Sequence, residues 1–128
     1  MILDTSAILA LLREEPGHQH LFPVLERADT IRIGGPTLFE AAMVALRRFG
    51  EKGPGLVEHF LDEWRVQILP FGDRHWRTAF DAFVRFGKGR HPAALNYGDC
   101  MTYATARVAG MPLLFVGGDF ARTDLEPA

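Results

Sequence analysis

The sequence predicts an α/β fold, a three-layer sandwich with a central parallel sheet and helices on both faces. Short apolar runs of strand length alternate with helical periodicities along the whole chain, the signature of repeated strand–helix crossovers. Gly or Pro stands between most neighbouring runs. Hydrophobic residues make up 48% of 128 residues, with ten Phe and two Trp, enough to build one sizeable core. A single domain over residues 1–128 is therefore expected.

In order, residues 1–3 form a buried strand and residues 6–15 a helix with Ile8, Leu9, Leu11 and Leu12 inward, stopped by Pro16-Gly17. Residues 18–28 form a second helix weakened by Pro23. Residues 31–33 are a strand closed by Gly34-Gly35-Pro36, and residues 37–49 a strongly apolar helix. Its inward face is Leu38, Ala42, Ala45 and Phe49, flanked by Phe39, Met43 and Leu46. Residues 50–55 are a turn. Leu56, Val57, Phe60, Leu61 and Trp64 then recur at amphipathic helix spacing. Residues 66–69 are a strand, and residues 73–86 a helix burying Trp76, Ala79, Phe80 and Phe83, its other face carrying a solvated stripe of Arg77, Asp81 and Arg85. A Gly/Pro/Asn-rich loop covers residues 87–98. A helix over 99–109 ends at Gly110 with Pro112 beyond, and residues 113–116 are a buried strand leading into Gly117-Gly118-Asp119.

Sixteen acidic against 14 basic residues give a formal charge of −2, which excludes a polycation and an acidic tail alike. One cysteine allows no internal disulfide, and no clustered Cys/His set suggests structural zinc. A reduced, cytoplasmic setting is expected. The apolar run 8–12 is far too short to span a membrane. Asp4 interrupts the apolar start and no basic residue precedes it, against a secretion signal.

In parallel α/β folds ligands bind outside the carboxyl ends of the strands. Four carboxylates fall there: Asp4 directly after the first strand, Glu40 in the first turn after the second, Asp99 at a helix start, and Asp119 after the last strand. If these ends converge, four acids share one crevice, a costly arrangement unless cations occupy it. Hard oxygen donors favour Mg²⁺ or Mn²⁺, and the natural chemistry is metal-assisted phosphoester hydrolysis. Each acid also has a structural reading. Asp4 can cap the first helix, Thr37-Leu38-Phe39-Glu40 matches a capping box, Asp99 suits a helix dipole, and Gly118-Asp119 is ordinary turn chemistry.

Three stretches carry a resemblance: Ile2-Leu3-Asp4-Thr5-Ser6-Ala7; Arg90-His91-Pro92-Ala93-Ala94-Leu95-Asn96-Tyr97-Gly98-Asp99-Cys100; and Leu113 to Phe120 with Thr123-Asp124-Leu125. Together they resemble PIN-domain proteins, most closely the VapC-type toxin ribonucleases of bacterial toxin–antitoxin pairs. The resemblance spans the chain and implies a Mg²⁺-dependent endoribonuclease with a PIN-like sandwich, a preference for single strands, and 5′-phosphate and 3′-hydroxyl products. It maps the acidic cluster onto Asp4, Glu40, Asp99 and Asp119, with Asp4 and Asp99 as main metal ligands and Thr5 or Ser6 orienting a ligand or a water. It implies an RNA substrate and a small cognate antitoxin. The apolar surplus and the commonness of two-fold symmetry lead us to expect a homodimer, and the short apolar runs no membrane association. One departure stands out: Gly118 occupies the place where family members often carry Asn or Asp.

Residues 82–98 contain no acid but hold Arg85, Lys88, Arg90 and His91, either a track for an RNA backbone or a solvated loop. Arg47 and Arg48 follow Glu40 on its helix, with Arg47 near the Glu40 face. Cys100 is expected to be a buried packing residue. His18 and His20 are two apart and make a poor metal pair; His59 and His75 read as surface or boundary residues, and a metal mechanism does not need His91. The competing class is a Mg²⁺-binding receiver-like signalling module or a non-catalytic α/β binding module. A receiver needs a second acid beside Asp4 and a Lys after the last strand, whereas the two lysines are Lys52 and Lys88. A haloacid-dehalogenase-type phosphatase needs an acid where Ser6 stands.

Overall fold

Prolines at helix starts set much of the architecture. The computed structural model describes residues 1–128 and alternates four strands with six α-helices. Ile2–Leu3 (β1) leads into Thr5–Leu12 (α1), a 3₁₀ turn at His18–His20, and Phe22–Arg27 (α2). Arg32–Gly34 (β2) leads into Gly35–Phe49 (α3), then Gly53–Glu63 (α4). Gln67–Leu69 (β3) is followed by Asp73–Phe86 (α5) and Tyr97–Ala109 (α6), and Leu113–Leu114 (β4) by a 3₁₀ turn at Phe120–Arg122. Pro23, Pro36 and Pro54 all sit in the first turn of a helix, where a missing N–H leaves no bond unmade. Gly35-Pro36, expected as strand closure, therefore begins α3, and of the expected turn over 50–55 a 3₁₀ turn takes Gly50–Lys52 while Gly53-Pro54-Gly55 begins α4. The helix expected over 18–28 is instead a 3₁₀ turn followed by the short α2.

All four strands are parallel, in the order β3-β2-β1-β4. The chain builds outward from β1 to β3, then crosses back to lay β4 on the other side of β1. That reversal places a crevice at the carboxyl ends of β1 and β4. Side chains alternate across the sheet. Ile2 and Leu113 face one core with Ala79, Ala82, Leu95, Tyr103 and Ala104, under α5 and α6. Leu3 and Leu114 face the other, with Ala7, Ile8, Ile33, Ala41 and Phe60, under α1, α3 and α4. The three-layer sandwich is as expected, and no helix is long and apolar enough to cross a membrane.

Two predicted burial faces are corrected. On α5 the small Ala79 and Ala82 turn inward with Phe86, leaving Trp76, Phe80 and Phe83 exposed. On α3 the buried positions are Thr37, Ala41 and Ala45, while Phe39, Met43 and Leu46 face outward. Close packing of α5 on α6 and of α3 on α4 admits alanine and excludes the larger rings. Apolar surface is thus left unburied on one side of the molecule.

Candidate active site

Asp4 follows β1 as the N-cap of α1, with extended backbone. Its Oδ2 accepts from the Ser6 amide at 2.9 Å and the Ser6 hydroxyl at 2.5 Å. Ser6 Oγ in turn accepts from the Val116 amide at 3.0 Å, tying the exit of β4 to that of β1. On its other oxygen, Oδ1, Asp4 accepts from Thr102 of α6 at 2.9 Å. The carboxylate is only 5% exposed by residue, so these donors replace water around it.

Glu40 lies in the second turn of α3, not the first, because the helix starts at Gly35. Its capping-box role is therefore overturned: its Oε2 accepts from the Thr5 hydroxyl at 2.9 Å. Thr5 Oγ1 also reaches the Thr37 carbonyl at 3.3 Å. Across from Glu40, α6 begins two residues earlier than expected, at Tyr97, capped by Asn96. Asp99 is thus the third helical residue, and it completes a reciprocal box. Its carboxylate accepts from the Asn96 amide, and Asn96 Oδ1 accepts from the Asp99 amide, both at 2.9 Å. Gly98 makes the approach of α6 to α3 possible: a Cβ there would stand 2.5 Å from Glu40 Oε1. Asp119 sits on the exposed loop after β4, just before the Phe120–Arg122 turn.

Burial lifts the Asp99 carboxyl to about 6, and the negative charges of Asp4, Asp119 and Glu40 all push the same way, against the Asn96 hydrogen bond. The four predicted acids therefore share one electrostatic environment. No three Asp, Glu, His or Cys side chains stand close enough together to enclose a metal by themselves. The donor set nonetheless fits a hard cation held by one or two carboxylates with the remaining positions filled by water and substrate oxygens. The four acids supply only carboxylate oxygens, and none of them is paired with a basic residue.

Other expectations resolve individually. Cys100 is buried, and burial with the Asp99 charge pushes its thiol up to about 11, an unreactive value. His91 accepts from the Ala93 amide and packs edge-on against Phe86, and His18 is tied to the Glu15 carbonyl beside Phe22. Arg85 pairs with Asp81 and Asp124, and Arg90 donates to the Val84 carbonyl. The basic loop is thus partly neutralised, and a Gly87–Leu95 bridge ties it down. Arg47, Arg48 and Lys88 make no ion pair.

The hydroxyls of Thr37 and Thr102 were not expected in the site. Thr102 stands three residues after Asp99, the spacing that puts two residues on one helix face. A second network was also unforeseen. Asp124 accepts from Tyr103 at 2.7 Å and Arg85 at 2.9 Å and pairs with Arg107. Burial raises the Asp124 carboxyl, but the Tyr103 and Arg85 hydrogen bonds and the two arginine charges outweigh it and bring it down to about 2. This clamp fastens the segment beyond Asp119 to α5 and α6.

An apolar surface borders the crevice. A cavity of about 210 Å³ is lined by Pro36, Phe39, Glu40, Met43, Tyr97, Gly98 and Met101. It shares Tyr97 and Met101 with one of about 410 Å³ that runs along Trp76, Phe80 and Phe83. Tyr97 is 79% exposed at their junction.

The family model described as PIN domain matches residues 1–126. The ribonuclease VapC36 of Mycobacterium tuberculosis is 43% identical over 127 residues, covering 98% of this chain and 91% of that protein. Among solved structures, M. tuberculosis VapC20, described as a sarcin-ricin loop cleaving toxin, superposes with a TM-score of 0.79 at 17% identity, over 99% of this chain and 97% of that one. VapBC2 from Rickettsia felis, bound to a DNA fragment from its promoter, gives a TM-score of 0.78 at 16% identity, over 99% and 96% of the two chains.

Proposed function

The chain belongs to the PIN domain family, and on that premise we propose that it is a VapC-type endoribonuclease toxin, a single PIN domain over residues 1–128 that cleaves RNA in the cytoplasm. The observation that carries the proposal is the shared environment of Asp4, Glu40, Asp99 and Asp119 at the carboxyl ends of the strands, expressed in the raised Asp99 carboxyl.

Asp4 and Asp99 hold a divalent cation, Mg²⁺ or Mn²⁺, and Glu40 and Asp119 complete its surroundings directly or through water. When bound, the cation lowers the pKa of a water and stabilises the leaving oxygen of the phosphodiester. Ser6 and Thr102 hold the Asp4 carboxylate in place, and Thr5 does the same for Glu40. Arg47, Arg48 and Lys88 are among the cations outside any ion pair and are available to meet an RNA backbone. A structure of the same fold described as a toxin–antitoxin complex from Klebsiella pneumoniae, with a TM-score of 0.70 at 17% identity over 96% of this chain and 92% of that one, supports a small cognate antitoxin as partner. The apolar surface around Phe39, Tyr97 and Phe80 supports protein association, including a two-fold homodimer.

Asp4→Asn and Asp99→Asn each remove RNA cleavage in Mg²⁺ while leaving the circular dichroism of the fold unchanged. Wild-type cleavage by either variant would show that the site is misassigned.

A further inference from the structure

Thr102 of α6 and Thr37 of α3 are buried to 0% and 1% exposure. A buried hydroxyl without a partner costs about 1–3 kcal/mol, and valine fills the same volume. Both hydroxyls are spent on one chain of bonds. Thr102 Oγ1 donates to Asp4 Oδ1 at 2.9 Å, and Thr37 Oγ1 stands 2.9 Å from Thr102 Oγ1. Because an ionised carboxylate only accepts, the Thr102 proton is committed to Asp4, and Thr37 is the donor in the second bond. Each bond polarises the next toward the carboxylate.

The acceptor count on Asp4 is uneven. Oδ2 takes two donors, the Ser6 amide and hydroxyl, whereas Oδ1 takes only Thr102. With about two lone-pair sites on each oxygen, Oδ1 is the atom with one unfilled. The helix that supplies this single donor also carries Asp99.

We propose that Thr102, backed by Thr37, is a positioning residue that fixes the rotation of the Asp4 carboxylate so that Oδ1 faces a divalent cation in register with Asp99. This rests on Asp4 being a metal ligand. Partners that orient a ligating group in this way commonly change metal affinity about 10- to 100-fold when removed.

Binding of Mn²⁺ by electron paramagnetic resonance, alongside RNA cleavage kinetics, tests it. Thr102→Val weakens Mn²⁺ binding about 10- to 100-fold and lowers kcat with little change in KM for RNA. Thr102→Ser returns the affinity to near wild type, and Thr37→Val has a smaller effect than Thr102→Val. Wild-type Mn²⁺ affinity in Thr102→Val, or a Thr102→Ser variant as impaired as the valine, overturns the proposal. If Thr102→Val does not fold, Thr37→Val is compared with Thr37→Ser, and equal affinities overturn it. Asp4→Asn separates the two ideas. Unchanged Mn²⁺ binding there removes the site reading itself, whereas lost binding beside an unaffected Thr102→Val removes only the positioning role.

Discussion

Replacing Asp99 by Asn should stop cleavage and yet stabilise the metal-free protein at neutral pH. In the folded chain burial, reinforced by the Asp4, Asp119 and Glu40 charges, lifts this carboxyl from its ordinary 3.8 to about 6. An acid whose pKa is raised by folding binds its proton more tightly when folded, so its ionised form opposes folding. Below about pH 4 both states are protonated and nothing is lost. Above about pH 6 both are ionised and the opposition is complete. A gap of about two pH units sets a ceiling of about 3 kcal/mol. Asp99 keeps some solvent contact, and screening brings the expected figure to about 1–2 kcal/mol. Asparagine keeps an oxygen for the Asn96 amide, so the capping box survives. Urea unfolding in EDTA at pH 8 is expected to show the variant more stable by that amount, with the advantage gone near pH 4. A variant less stable than wild type at pH 8, or an advantage independent of pH, would refute a crowded anionic cluster.

Cleavage is expected to require added Mg²⁺ or Mn²⁺, to disappear with chelator and to decline in acid as the carboxylates take up protons; full activity in excess EDTA is the contrary result. Gly98→Ala places a Cβ against the Glu40 carboxylate and displaces it from Thr5. Activity drops about tenfold or more if that alignment is worth about 1.4 kcal/mol in the transition state, while a gain in helix propensity of about 1 kcal/mol offsets the strain in thermal melts. Unaltered cleavage rates in Gly98→Ala would show that Glu40 alignment is irrelevant. Asp124→Asn loosens the clamp of Tyr103, Arg85 and Arg107. Because folding depresses this carboxyl to about 2, the wild-type advantage is present at pH 7 and fades between about pH 4 and pH 2. With solvent screening it amounts to about 1 kcal/mol or less, measured by urea titration at pH 7 and pH 2.5.

The layer order was legible because it follows from strand–helix alternation, and the four acids were singled out by their position relative to strand ends and helix starts. The α5 helix, Asp73–Phe86, has the predicted bounds, since Gly72 and Gly87 flank a strong helical period. Its facing was not legible. The pattern 76, 79, 80, 83 and the pattern 79, 82, 86 both repeat every three or four residues. Only the tight approach of α6 decides that alanines go inside. The misjudged starts of α3 and α4 share one cause: Gly-Pro pairs serve equally as turn signals and as first turns, and periodicity does not distinguish them. Thr102 and Thr37 were invisible as site residues because a threonine in an apolar helix resembles any other core position until the partner helix is in place.

For Asp4 and Asp99, helix capping leaves room for the proposed metal binding rather than competing with it. Each carboxylate spends part of its accepting capacity on a helix start: Asp4 on the Ser6 amide, and Asp99 on the Asn96 amide. Those bonds hold the two groups in single orientations at the positive ends of α1 and α6, where the helix dipoles partly offset the charge that crowds them. Both carboxylates keep accepting capacity beyond these caps, and Asp99 still feels the charges of Asp4, Asp119 and Glu40. Two of the four acids, Asp4 and Asp99, are thus held as caps before any cation arrives. Glu40, relieved of any capping duty by the earlier start of α3, needs the Thr5 hydroxyl for the same purpose. Thr5→Val is therefore expected to reduce cleavage through Glu40 while the α1 cap, which depends on Asp4 and Ser6, stays intact.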